Sequence, residues 1–163
     1  MPPTPDPVGP GEESVWDYPR PPRLEPAGRP VRVEHGGSVV AASARAWRVL
    51  ETSHPPVYYV PREDVHMELF EDAPGASFCE WKGSARYHTL RHGDRVLTKV
   101  AWSYATPTAA FAALAGHLAF YLEPLEGFVG DEPATPQPGR FYGGWVTSKV
   151  VGPFKGEPGT SGW

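Results

Sequence analysis

Cys79-Glu80-Trp81-Lys82-Gly83-Ser84-Ala85-Arg86-Tyr87, followed by Ala101-Trp102-Ser103-Tyr104, puts a thiol, an amine, two indoles and two phenols into two strand-like runs. The turn His92-Gly93-Asp94 joins them and makes them antiparallel partners. Such chemistry builds either a ligand pocket or an aromatic core. Side chains alternate along a strand, so Cys79 and Trp81 are expected on one face, with Glu80 and Lys82 on the other. By the same rule Trp102 and Tyr104 share a face, and Ala101 and Ser103 take the opposite one.

Outward from this pair the chain keeps reading as short strands. Val31-Arg32-Val33-Glu34-His35 alternates, Gly36-Gly37 is a two-residue hairpin signal, and Ser38-Val39-Val40-Ala41 returns. Val57-Tyr58-Tyr59-Val60 and Met67-Glu68-Leu69-Phe70 have strand composition, and Asp72-Ala73-Pro74-Gly75 reads as a loop. Two helices are expected. One is capped by Ser43 and carries Ala44, Trp47 and Leu50. The other starts at Thr106-Pro107 and runs over 108–118, with Phe111, Leu114, Ala115 and Leu118 as its apolar stripe. Adjacent strands with tight turns and no helical crossovers predict a mainly β fold of antiparallel sheets.

The 163 residues suit a single core. Ten of the 21 prolines fall in residues 1–30 and only six in 31–130, so a Pro-rich lead-in precedes a folded body. Residues 1–13 read as a disordered tail. Residues 14–30 hold Trp16, Tyr18 and Leu24 and read as an extended aromatic arm. The folded domain covers 31–125, and 126–163 form a Pro/Gly-rich extension packed on it. Net charge is −4 with no basic run, which argues against nucleic acid. The single cysteine fits a reducing cytoplasm and excludes an intrachain disulfide. No signal peptide and no membrane span is expected.

The sequence lacks both the phosphate-loop and the dinucleotide glycine signatures. One cysteine and six scattered histidines offer no zinc-like spacing, so no metal and no cofactor are expected. A free cysteine is commonly a buried core thiol, and Cys79 becomes reactive only beside a cation such as Lys82. Lys82 could meet an anionic ligand, or pair with Glu51, Glu63 or Asp64. Glu51 ends the first expected helix, where the dipole disfavours a carboxylate, so it is a candidate acid/base group. The candidate catalytic residues are thus Glu51, Lys82 and Cys79. Tyr59, Trp81, Lys82, Tyr87, Trp102 and Tyr104 are the candidate ligand-binding set.

Four runs carry a family resemblance: Ala42-Ser43 continuing to Val49-Leu50-Glu51-Thr52-Ser53-His54-Pro55-Pro56-Val57-Tyr58-Tyr59-Val60-Pro61-Arg62-Glu63-Asp64-Val65, then Cys79–Tyr87, then Ala101–Tyr104, then Ala119-Phe120-Tyr121. In this order they resemble the domain-of-unknown-function 427 family over about residues 31–125. The arm around Trp16 and the tail Phe141-Tyr142-Gly143-Gly144-Trp145 look like its extended bacterial members. The resemblance implies a β-tent, similar to Mss4-like and methionine sulfoxide reductase B proteins, in which two antiparallel sheets meet at an angle. Relatives of that fold hold zinc through paired Cys-x-x-Cys motifs. Here the matching stretch, Cys79-Glu80-Trp81-Lys82, keeps one thiol. The family is also catalogued in places as a nucleotidyltransferase. Three readings follow: a small-molecule binder with an aromatic pocket between sheets, an interaction or homo-oligomeric module using arm and tail, and a nucleotidyltransferase.

Overall fold

Tight turns and β-branched runs set the strand pairing from the first residues of the folded body. The structure, a computed structural model, describes residues 3–139 and 141–163. The first two residues of the expected 1–13 tail, and Arg140 of the C-terminal extension, lie outside the described residues. In chain order the strands are β1 (Glu13–Ser14), β2 (Arg23–Pro26), β3 (Val31–His35), β4 (Ser38–Ser43), β5 (Trp47–Leu50), β6 (Val57–Tyr59), β7 (Phe70–Cys79), β8 (Gly83–His92), β9 (Arg95–Ser103), β10 (Leu118–Phe120), β11 (Glu126–Val129), β12 (Glu132–Pro136), β13 (Trp145–Val146) and β14 (Val150–Val151). The helical segments among the described residues are short 3-10 turns at Val15–Asp17, Arg62–Asp64, Met67–Leu69 and Ala109–Leu114. None of them is long and apolar enough to cross a membrane.

The fold is mainly β, as expected, and its larger sheets are antiparallel. One sheet has the order β10-β9-β8-β7, a second β13-β12-β11-β3-β4, and a third β2-β5-β6. Only the two-residue pair β1–β14 is parallel among the described strands. Gly36 and Gly37 take φ of 59° and 83°, the left-handed pair that a two-residue hairpin turn requires, and they close β3 onto β4. Gly93-Asp94 likewise closes β8 onto β9. Past the end of β6, Val60 and Leu118 exchange two backbone hydrogen bonds of 2.8 and 2.9 Å. That exchange joins the three-stranded sheet to β10 and so to the four-stranded sheet.

Both expected helices are corrected. Trp47–Leu50 is a strand, held between β2 and β6 on either side. Three apolar residues at spacing three cannot outvote two full ladders of hydrogen bonds. Ser43 still makes its local bond, accepting from the Arg45 amide at 2.9 Å, but donates to Asp64 at 2.6 Å instead of opening a helix. The second helix shrinks to the 3-10 turn Ala109–Leu114. Phe111 has a non-helical φ of −117° and Gly116 turns left-handed at 74°. Leu118, expected on the helix, is instead a β10 residue paired with Ser103. Met67–Leu69 is a turn rather than a strand, and 72–75 is a bulge inside β7 rather than a free loop.

Alternation divides the core. Val33, Val40, Leu90, Leu118, Phe120 and Trp145 belong to the main core, under the five-stranded sheet. Trp145 is 1% exposed, and its indole donates to the Phe120 carbonyl at 3.1 Å. Tyr59, Trp102, Tyr104, Phe111 and Leu114 form a second cluster. Neighbours on one strand split between the two: Tyr58 and Ala101 join the main core, Tyr59 and Trp102 the second cluster. Ser103, alternating with Trp102, faces away from the second cluster. There His88 bridges Ser103 at 2.7 Å and Asp72 at 3.1 Å, tying β9 through β8 to the edge strand β7. The aromatic arm lies on its own chain: Trp16 donates to the Pro153 carbonyl at 2.9 Å and meets Trp163 edge-on at 5.3 Å.

Candidate functional site

Cys79 pairs with Gly83 at the end of the β7–β8 hairpin, so Glu80-Trp81-Lys82 is a three-residue turn and not a continuing strand. This overturns the expected separation of Cys79 from Lys82. A turn does not alternate, and Cys79, Trp81 and Lys82 all line one cleft of about 720 Å³. The turn is pinned from outside: Thr108 donates its amide to the Lys82 carbonyl at 3.0 Å and its hydroxyl to the Trp81 carbonyl at 2.5 Å.

The cleft lies where the three-stranded and four-stranded sheets meet, on the side turned from the main core. All eight candidate residues line it: Glu51, Tyr59, Cys79, Trp81, Lys82, Tyr87, Trp102 and Tyr104. Its volume is within the range of small-molecule sites. Tyr59 stands 6.3 Å from the Trp102 ring and 6.4 Å from that of Tyr104, and Trp102 is 4.5 Å from Tyr121. Burial raises the Tyr59 and Tyr104 hydroxyls well above the ordinary phenol range and pushes Tyr121 up to about 12. All three are therefore neutral phenols at physiological pH. Cys79 is half-buried, beside Tyr59 and Tyr104, rather than sealed in the core.

Lys82 is 9% exposed. Its ammonium has no side-chain hydrogen bond or ion pair among the described residues. The rings of Tyr104 and Phe111, 5.9 and 5.8 Å away, are what it faces. The carboxylates expected as partners are engaged elsewhere: Glu51 with Arg20 at 3.5 Å, and Glu63 and Asp64 with Arg45. Glu51 does not end a helix. The residue follows β5 directly and is held by Arg20.

His54 is a site residue that the sequence reading passed over. It is 8% exposed and lines the cleft. Its Nδ1 lies 3.0 Å from the Thr52 carbonyl, which can only accept, so Nδ1 carries the proton and Nε2 keeps its lone pair. Burial lowers its pKa, against an upward pull from the Glu51 carboxylate 3.9 Å away, so the ring is neutral at pH 7. Ser53, just before it, is fully buried, has a φ of 72°, and leaves its hydroxyl unpartnered. A left-handed serine with an orphan hydroxyl is a strained position, immediately before His54.

The C-terminal extension supplies the rest of the wall: Gln137, Phe141, Tyr142, Gly143 and Lys155. Gln137 is 1% exposed; its amide donates to the Lys155 carbonyl at 2.8 Å and accepts from the Gly144 amide at 3.1 Å. Gly143 lies so close to Trp102 that a Cβ there would sit 2.0 Å from the indole edge. Tyr142 meets His54 edge-on at 4.9 Å. No group of three or more His, Cys, Asp or Glu among the described residues is placed to hold a metal ion.

A family model described as a domain of unknown function (DUF427), named NTP_transf_9, matches residues 23–131. No curated protein matches the chain. The match spans strands β2–β11, among them the β5–β9 strands that line the cleft, and the chain belongs to the DUF427 family.

Proposed function

We propose that the protein binds a small organic molecule in the aromatic cleft. One observation carries this reading: Lys82 is about nine-tenths buried with no protein anion on its ammonium, which is set among rings on the wall of a cleft large enough for a ligand. Burying an unpaired charge costs stability, and a fold keeps such a charge where a ligand completes it. Tyr59, Trp81, Tyr87, Trp102 and Tyr104 supply flat apolar walls, and Glu51 and His54 supply polar contacts. Thermal melting and tryptophan fluorescence across a panel of neutral and anionic metabolites and nucleotides test it. A melting shift with quenching by at least one compound is expected. Silence across the panel would sink the proposal.

The name of the family model invites a transferase reading. Of the two cleft carboxylates, Glu51 is paired with Arg20 and Glu80 sits exposed on the hairpin turn. That arrangement supports binding ahead of phosphoryl transfer, which calls for paired carboxylates around metal ions.

A further inference from the structure

Two polar side chains in the cleft are about nine-tenths buried and lack a partner on the atom they present to it. Lys82 Nζ is one; His54 Nε2, left free because Nδ1 is spent on the Thr52 carbonyl, is the other. Ser53 Oγ is the only described side-chain polar atom both sealed from solvent and unpartnered, so these two nitrogens keep their access through the cleft they line.

Their positions differ. Lys82 sits by Tyr104 and Phe111. His54 leans on Tyr142, next to Gly143, whose backbone rests on Trp102. Tyr59 stands between, within ring contact of both Tyr104 and Trp102. The cleft thus runs along a row of aromatic rings set at angles to one another, with a cation toward one end and a lone-pair acceptor toward the other.

Charge favours an anion. Three lysines line the cleft against Glu51 and Glu80, but Lys99 is exposed and Lys155 Nζ donates to the Trp163 main-chain oxygen at 3.4 Å, so Lys82 carries the uncompensated positive charge. Glu51 is already balanced by Arg20, and Glu80 is exposed.

We propose that the cleft takes a flat organic acid, its anionic group on Lys82 and a hydroxyl or N–H at the far edge of its ring system on His54 Nε2; this rests on the small-molecule reading above. An aromatic body stacks on the indole and phenol faces. The anion completes the charge of Lys82 with a charge-assisted hydrogen bond. The ring donor satisfies the histidine, whose neutral form cannot itself donate from Nε2. An apolar ligand of the same shape leaves both nitrogens dry and unpaired, so the site discriminates against it.

Calorimetric titration of the full chain tests this with matched probes. Hydroxynaphthoate represents a carboxylate and adenosine monophosphate a phosphate; hydroxynaphthamide and adenosine are their neutral counterparts, and methoxynaphthoate keeps the anion but loses the donor. At least one acid is expected to bind about tenfold or more tightly than its neutral counterpart, as for a hydrogen bond to a charged group. Which acid does so tells carboxylate from phosphate. Lys82→Met is expected to erase that advantage, and His54→Phe to erase the preference for hydroxynaphthoate over methoxynaphthoate. If the neutral probes bind as well as the acids, the small-molecule reading stands and this proposal falls. If no probe binds, both fall. The wild-type comparisons decide the matter even where a variant does not fold.

Discussion

At the scale of single residues the cleft is held in a form that does not maximise stability. Ser53 combines a left-handed φ of 72° with a buried, unpartnered hydroxyl. Replacing it by glycine removes a backbone cost of about 1 kcal/mol and an orphan donor, against a smaller loss from glycine's freedom in the unfolded chain. Ser53→Gly is therefore expected to raise Tm, and calorimetric melting reads it; a lower Tm would show that the turn is unstrained. Lys82→Met is expected to leave the empty protein as stable as before or stabilise it by about 1 kcal/mol, because a methionine fills the same space without an uncompensated charge. A loss above about 2 kcal/mol in chemical denaturation would mean that the ammonium has a protein partner after all.

At the scale of elements, the cleft is a joint product of a hairpin turn and a C-terminal strap. Gly143 is where the strap touches the hairpin sheet. Gly143→Ala drives a methyl into the Trp102 ring, and relief requires the strap or the indole to move. The expected cost is about 1–3 kcal/mol, read by denaturant titration, with weaker quenching of Trp102 by any cleft ligand. An unchanged midpoint would show that the strap is loosely held. The turns were legible in sequence because their chemistry is local: Gly36-Gly37 and Gly93-Asp94 sit where hairpins close. The run 47–50 was not. Its three-residue apolar spacing mimics a helix, and only strands β2 and β6, distant in sequence, make it extended. The eight candidate cleft residues were legible as a set because aromatic and polar strand residues cluster in the quoted runs. His54, Gln137 and Lys155 were not, because contacts across the chain place them: Lys155 donates its amide to the Ser53 carbonyl, and Gln137 binds the Lys155 carbonyl.

At the scale of the whole molecule, three buried histidines are expected to make the fold acid-sensitive, and one of them, His35, joins two sheets. His35 meets His92 at 2.8 Å across two hairpins, with Arg95 and Glu126 nearby. His88 lies between Ser103 and Asp72, with Arg62 and Arg86 acting on it. His54 faces Glu51, Lys155 and Arg20. Burial lowers all three pKa values, so the folded state binds fewer protons than the unfolded chain. Their contribution is complete above the unfolded histidine value of about 6.5 and is lost as pH falls through their folded values. Glu13, Asp64 and Glu132, also lowered, act in the same direction in the carboxylate range. Tm is expected to fall as pH drops below about 6.5, and His88→Gln to flatten that slope while keeping a bond to Ser103. A Tm unchanged between pH 7 and pH 5 would contradict the burial of these rings.

The reading of the cleft around the Cys79–Tyr87 hairpin turn as a binding site rests on the charge of Lys82. Its most direct test is the melting temperature of the wild-type and Lys82→Met proteins, measured side by side against flat organic acids and their neutral analogues. At least one acid is expected to raise Tm of the wild type in proportion to the logarithm of its concentration, and to shift the Lys82→Met protein no further than its neutral analogue does. A wild-type protein whose Tm no compound shifts, or a variant stabilised as strongly as the wild type, would contradict that reading.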